Sequence, residues 1–186
     1  LSRVDAKRNV LATGVMDQQR MALGIYGDDV QRTMKDLESA HVNARIWGRD
    51  GSVWKDHGPT IAKVQQRLGW LDVLQTIDLN RLKTFQQSVK GKYSHVVLLG
   101  MGGSSLAPEI LSATFGSQEG FAPLLVLDST DPARVLEVQR TIDLPKTLFI
   151  VASKSGTTIE IWSFFKYFWE LTKHNGAQFI AITDGG

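Results

Sequence analysis

The chain has 186 residues, 42% apolar and 22% charged, with a net charge of +2 and no cysteine. That length and balance suit an ordinary globular protein of one domain, or one domain plus an arm. They give no pointer to nucleic acid or a membrane surface, they exclude disulfide and thiolate chemistry, and no apolar run approaches the roughly 20 residues of a membrane span.

The absence of cysteine and of a basic-then-apolar start fits a cytoplasmic protein, which is the expectation here. The sequence begins without Met and stops at Asp184-Gly185-Gly186, directly after an apolar strand pattern. It is therefore expected to be a fragment.

In chain order, Asp5 to Ala12 has the makings of a helical turn, and glycines punctuate the rest of residues 1–27. Asp28 or Asp29 is expected to cap a helix carrying Val30, Met34 and Leu37 at helical spacing. Residues 43–58, including Ala44-Arg45-Ile46-Trp47, read as a connector. Pro59 suits the first turn of a helix through Ile61, Val64 and Leu68, which Gly69 should end. Asp78 should cap a helix with Leu79, Leu82, Phe85 and Val89 on one face, closed by Gly91.

From His95 the rhythm changes. Short apolar runs predict strands at 95–99, 123–128, 147–152 and 178–183, alternating with helices at 105–115, 132–142 and 157–174. Asp131-Pro132 reads as an N-cap followed by a proline at the first helical position. Strands without polar alternation are buried on both faces, which implies a parallel sheet covered by helices. The expected fold is thus α/β, a doubly wound and mainly parallel sheet, preceded by a helical arm. Residues 1–90 form the arm and connector in this reading, and 91–186 the sheet domain.

Two turns stand at the carboxyl ends of strands, where ligands of such sheets bind. The first is Gly100-Met101-Gly102-Gly103-Ser104-Ser105. It lacks the third glycine of a dinucleotide fingerprint and the Gly-Lys-Ser/Thr of a P-loop. It is either a tight turn with Ser104 or Ser105 as helix cap, or a place where backbone closely approaches a ligand. The second is sharper: Ser153, Ser155, Thr157 and Thr158 put four hydroxyls within six residues, with Lys154 among them. Thr157 and Glu160 have capping-box spacing, which would account for that pair structurally. The surplus of donors suggests a single oxyanion, a phosphate, held between two helix N-termini.

Other candidates carry less. Asp128-Ser129-Thr130-Asp131 ends a strand and could line the same crevice, although a cap explains Asp131. His41, His57, His95 and His174 share no metal-like spacing, and neither metal nor cofactor is expected. The aromatic run Trp162, Phe164, Phe165, Tyr167, Phe168, Trp169 marks a buried helix, or one that packs on a partner, rather than a cofactor box.

Leu98 to Glu109 and Val151 to Glu160 resemble the two phosphate-binding motifs of the glucose-6-phosphate isomerase family. The resemblance covers roughly residues 40–186. It implies a sugar-isomerase (SIS) domain at 91–186. With Ala44-Arg45-Ile46-Trp47 and Leu68-Gly69-Trp70-Leu71 upstream, the chain looks more like the isomerase part of fused transaldolase/isomerase proteins, with residues 1–25 as the join.

The resemblance further implies interconversion of glucose 6-phosphate and fructose 6-phosphate through a cis-enediol, with a carboxylate moving the proton between C1 and C2. By motif position, Gly102, Gly103, Ser104, Ser153, Lys154, Ser155, Thr157 and Thr158 would hold the substrate phosphate. Glu160 would sit near the ring-opening histidine without touching the reacting carbons. The family's proton-transfer groups are expected outside this chain, which would make the isolated chain inactive; a homodimer is a possible assembly of the parent. A non-catalytic SIS-type sugar-phosphate sensor and a smaller phosphosugar isomerase are the alternatives.

Overall fold

The computed structural model describes residues 22–184. The helical turn expected over Asp5–Ala12 lies outside them. The chain divides between Val73 and Leu74 into two compact units.

The first unit is helical. A short 3-10 turn over Gly24–Tyr26 leads into α1 (Gly27–Ser39). Neither Asp28 nor Asp29 caps it. Tyr26 is the N-cap, and both carboxylates fall inside the first turn, where they favour the positive end of the helix dipole instead. His41, in the left-handed region at φ +50°, reverses the chain into α2 (Val42–Trp47). The Ala44–Trp47 stretch read as connector is therefore helical.

The turn after α2 is a polar knot. Arg45 Nε donates to Asp50 Oδ2 at 2.7 Å and Arg45 Nη2 donates to Ser52 Oγ at 2.9 Å, while the Ser52 N–H donates to Asp50 Oδ1 at 2.9 Å. The Ser52 hydroxyl also donates to Asp50 Oδ1, at 2.5 Å, and it is the largest contributor, with Arg45 next, to holding the Asp50 carboxyl down to about 2.

α3 (Gly58–Gln66) has Pro59 in its first turn as expected, but ends at Gln66. Leu68 lies beyond the helix and is buried, and Gly69 opens a 3-10 turn (Gly69–Leu71) rather than a simple stop. α3 packs directly on the backbone of Gly51, where a Cβ would sit 2.9 Å from the Ile61 carbonyl oxygen.

A single turn, α4 (Val73–Thr76), spans the division and leads to α5 (Leu79–Val89). The Asp78 carboxylate caps α5 by accepting from the Asn80 and Arg81 N–H groups, both at 3.0 Å.

The second unit then builds one sheet. Four strands, β1 (His95–Gly100), β2 (Leu124–Leu127), β3 (Thr147–Ala152) and β4 (Phe179–Ile182), are all parallel in the order β2-β1-β3-β4. The helices between them are α6 (Gly103–Phe115), α7 (Pro132–Thr141) and α8 (Ile159–Leu171). The Asp131 carboxylate caps α7 through the Ala133 N–H at 2.9 Å. This is the doubly wound α/β fold: the chain moves from β1 to one edge, crosses back over β1, and continues to the other edge.

Register decides which residues form the core. Val97, Leu99, Leu127 and Phe149 share one sheet face and are fully buried beneath α7 and α8. α8 presents Ile161, Phe164 and Phe168 to that face at helical spacing, and the Phe168 ring lies 4.8 Å from Phe149. Phe149 in turn stacks on Phe179 of β4 at 5.0 Å. The other face carries Leu98 and Leu148, also buried, and α6 runs along β1 and β2.

Two expectations need correction. Burial on both faces holds for the central strands but not for β4, whose Ala181 and Ile182 are exposed because an edge strand lacks a neighbour on one side. The aromatic helix α8 is not buried all round either, since Trp162 and Tyr167 stay accessible. Among the described residues, no helix is long and apolar enough to cross a membrane.

Phe168→Ala removes a ring from the centre of the core and is expected to destabilise the chain by about 3–5 kcal/mol in chemical denaturation. Phe115→Ala, at a ring 76% exposed, should stay within about 0.5 kcal/mol. For the knot, the folded-state value of Asp50 lies below its ordinary 3.8, so its contribution to stability is full above that value and is lost as pH falls toward about 2. Ser52→Ala should move the Asp50 midpoint, followed by carboxyl NMR shifts, upward toward 3.8; an unmoved midpoint would contradict the assigned cause.

Candidate functional site

The β1–β3 register sets the site. Gly100 pairs with Ala152, so the two neighbouring strands end level, and both hydroxyl-rich turns leave the sheet side by side. β1 and β3 also flank the point where the winding reverses, the position at which such sheets open a crevice.

The first turn needs its glycines. A Cβ on Gly100 would lie 2.9 Å from the Ser104 carbonyl oxygen, and Gly102 adopts φ +55°, which L side chains rarely reach. Gly102 is the N-cap of α6 and offers no side-chain cap. Neither Ser104 nor Ser105 caps the helix. Ser105 is fully buried, and its hydroxyl donates back to the Gly102 carbonyl at 3.0 Å.

The second turn also departs from its capping reading. Thr158, not Thr157, is the N-cap of α8, and it makes no side-chain cap bond. Thr157 instead bonds through Oγ1 to Ser155 Oγ at 3.0 Å and donates its N–H to the same oxygen at 3.2 Å. No capping box forms with Glu160, which stands in the first turn of α8. Ser153 Oγ and Thr158 Oγ1 bond to each other at 3.0 Å.

The strand β4 pins the turn from behind. The Ser153 N–H donates to the Ile182 carbonyl at 3.0 Å, and the Asp184 N–H donates to the Lys154 carbonyl at 3.2 Å. The Trp162 indole N–H donates to the Gly156 carbonyl at 2.7 Å.

Between the turns lies a cleft of about 420 Å³ lined by Met101, Gly103, Ser104, Ala152, Ser153, Lys154, Ser155, Thr158 and Ile161. It brings together six of the eight positions singled out in the sequence. Gly102 and Thr157 are not on its wall; they shape the turns that carry the others. Glu160 does not line it, and neither does any residue from Asp128 to Asp131.

Met101, Ala152 and Ile161 were not foreseen. Ala152 and Ile161 had shown only as members of an apolar strand and an apolar helix, a pattern that does not tell core from cleft wall. The α5 and α7 N-termini are closed by aspartates, whereas α6 and α8 end at the cleft without a side-chain cap. Uncapped helix ends, hydroxyls and one lysine make an electropositive, donor-rich hollow suited to a compact oxyanion.

The wall holds no carboxylate and no imidazole. Among the described residues, no cluster of three or more His, Asp or Glu side chains is arranged to hold a metal. His95 Nδ1 accepts the Asp143 N–H at 3.2 Å, and His174 stacks on Trp169 beside Glu170, so both serve the fold.

The sequence matches the family described as phosphoglucose isomerase over residues 11–176, further toward the N-terminus than the motifs alone suggest. It is 33% identical over 162 residues to a glucose-6-phosphate isomerase of Chlamydia muridarum, covering 85% of this chain and 28% of that protein. A glucose-6-phosphate isomerase of Thermus thermophilus is 32% identical over 115 residues, covering 56% of this chain and 27% of that protein. The chain thus spans between a quarter and a third of the length of these relatives.

Among solved structures, a hypothetical protein of Thermus thermophilus is similar at TM-score 0.59 and 26% identity, covering 85% of this chain and 36% of that one. A glucose-6-phosphate isomerase of Chlamydia trachomatis is similar at TM-score 0.53 and 28% identity, covering 76% of this chain and 27% of that one. Sequence and fold agree, and the chain belongs to the phosphoglucose isomerase family.

Proposed function

We propose that this chain supplies the phosphate-binding half of an aldose–ketose isomerase site, in a longer protein that interconverts glucose 6-phosphate and fructose 6-phosphate. The observation that carries the reading is the cleft between α6 and α8, where two uncapped helix ends meet a wall of hydroxyls. In this reading Gly103, Ser104, Ser153, Lys154, Ser155 and Thr158 hold the substrate phosphate, with Gly102 and Thr157 shaping the two turns. Residues 91–186 act as a SIS-type domain, and 1–90 as its arm and connector. Any join to a transaldolase segment within residues 1–25 falls mostly outside the described residues. A cytoplasmic setting and a homodimer complete the proposal.

The division of labour follows from distance along the sugar. The phosphate sits on C6 and the proton moves between C1 and C2, so the anchor and the proton-transfer group must be separate. Phosphate binding contributes to rate only when it positions the reacting carbons against that group. General acid–base catalysis by such a group is worth about 10²–10⁴-fold. The cleft wall offers none, and Glu160, in the first turn of α8, is off that wall.

Ser155→Ala and Thr158→Ala are each expected to weaken fructose 6-phosphate binding roughly 10- to 150-fold in titration calorimetry, from about 1.5–3 kcal/mol per hydrogen bond to a charged group. Unchanged affinity in both variants would remove the phosphate assignment. In a coupled assay, the 186-residue chain alone should bind fructose 6-phosphate yet produce no glucose 6-phosphate. Enzyme-like turnover, abolished by Glu160→Gln, would place a proton-transfer base within this chain.

A further inference from the structure

We propose that Trp162 is a positioning residue, its indole N–H holding the Ser153–Thr158 turn in the shape that grips the substrate phosphate; the inference rests on the phosphate-site reading above. The sequence grouped Trp162 with the aromatic residues of a packed helix. Burial does not account for it, because its side chain is 45% exposed. What it does instead is reach back from the first turns of α8 and donate to the Gly156 carbonyl at 2.7 Å.

Gly156 is the left-handed crest of the turn, at φ +66°, and its own N–H closes on the Ser153 carbonyl at 3.2 Å. The turn is a thin wall. On one side is the hydroxyl-lined cleft; on the other is an apolar cleft of about 340 Å³ to which Gly156 and Trp162 both belong. Ser153 and Ile161 line both. Drawing the Gly156 carbonyl to the apolar side keeps its negative end away from a bound anion and leaves hydroxyls on the other. The Lys154 carbonyl is likewise occupied, by the Asp184 N–H at 3.2 Å.

The indole is held firmly enough to act as a clamp. Its ring meets Phe165 edge to face at 5.8 Å and 80°, and Phe165 meets Phe179 of β4 at 5.5 Å and 87°. A chain of rings thus links the sheet edge to the crest of the turn. Aromatic side chains have few rotatable bonds, so such a strut orders the turn at low entropic cost. A binding turn held in shape before the ligand arrives loses less freedom on binding.

Trp162→Phe keeps a ring against Phe165 and deletes only the N–H donor. Tyr167→Phe, on the same helix but off the cleft, deletes a hydroxyl bonded to Gln139 and serves as the comparison. Calorimetric titration with fructose 6-phosphate should give an affinity about 3- to 10-fold weaker for Trp162→Phe, the loss of one neutral hydrogen bond, and an unchanged affinity for Tyr167→Phe. Thermal melts of the two variants should coincide.

If the unaltered chain binds and Trp162→Phe binds equally well, the clamp is overturned and the phosphate site stands. If the unaltered chain shows no saturable binding, both readings fall. A second measurement needs no variant: saturating inorganic phosphate should slow hydrogen exchange of the Trp162 indole N–H more than that of Trp169. Equal exchange with and without phosphate overturns the clamp even if Trp162→Phe does not fold.

Discussion

The parallel pairing of β1 with β3 is the constraint on which the rest of the second unit depends. It is the central pairing of the sheet, and it is level, with Gly100 opposite Ala152. A slip of β3 by one residue would turn Phe149 away from Val97, Leu99 and α8 and break a fully buried face. The same slip would separate the two turns by a strand residue, about 3.3 Å. Core packing and site geometry are therefore set by one register. The hydrophobic burial that stabilises the sheet also holds the hydroxyls of the second turn against the glycines of the first.

Within that frame the helix ends divide into two kinds. In the second unit, the two long helices that begin away from the cleft start at Asp78 and Asp131, whose carboxylates accept from the first N–H groups and add a favourable charge to the dipole. Where a helix begins at the cleft, no side chain does so. At α6 the Ser104 and Ser105 N–H groups donate instead to the Met101 and Gly102 carbonyls, at 3.1 and 3.0 Å.

The second turn is shaped less by its own sequence than by β4. Ser153 and Lys154 bond to Ile182 and Asp184, nearly thirty residues away. Ser155 and Thr157, and separately Ser153 and Thr158, bond to each other, so the hydroxyls are ordered before any ligand arrives. The edge strand thus acts through the turn it supports.

Much of this was legible in the residues. Unbroken apolar runs located all four strands within one or two positions; for the central β1 and β3 the reason is burial on both faces, which admits no polar alternation. Asp78 and Asp131-Pro132 marked helix starts, because a cap acts on N–H groups two or three residues away and needs nothing distant. The surplus of hydroxyls at 153–158 marked the second turn, and Ser153, Ser155 and Thr158 do share one cleft wall. Tertiary structure decided the rest. Thr157 and Glu160 had the spacing of a capping box, but the Ser155 hydroxyl engages Thr157 instead, and the helix begins one residue later. The Ala44–Trp47 stretch ends in a β-branched and an aromatic residue and has no strong start signal, yet it is helical, ending at the Arg45–Asp50–Ser52 knot. Strand order was invisible, since it depends on which way each crossover turns. The bond from Trp162 to the Gly156 carbonyl was invisible too, because periodicity assigns an aromatic residue to a face and says nothing of where its N–H will find an acceptor. Local sequence determines groups that act within a turn of the chain; contacts between distant segments exist only once the sheet has closed.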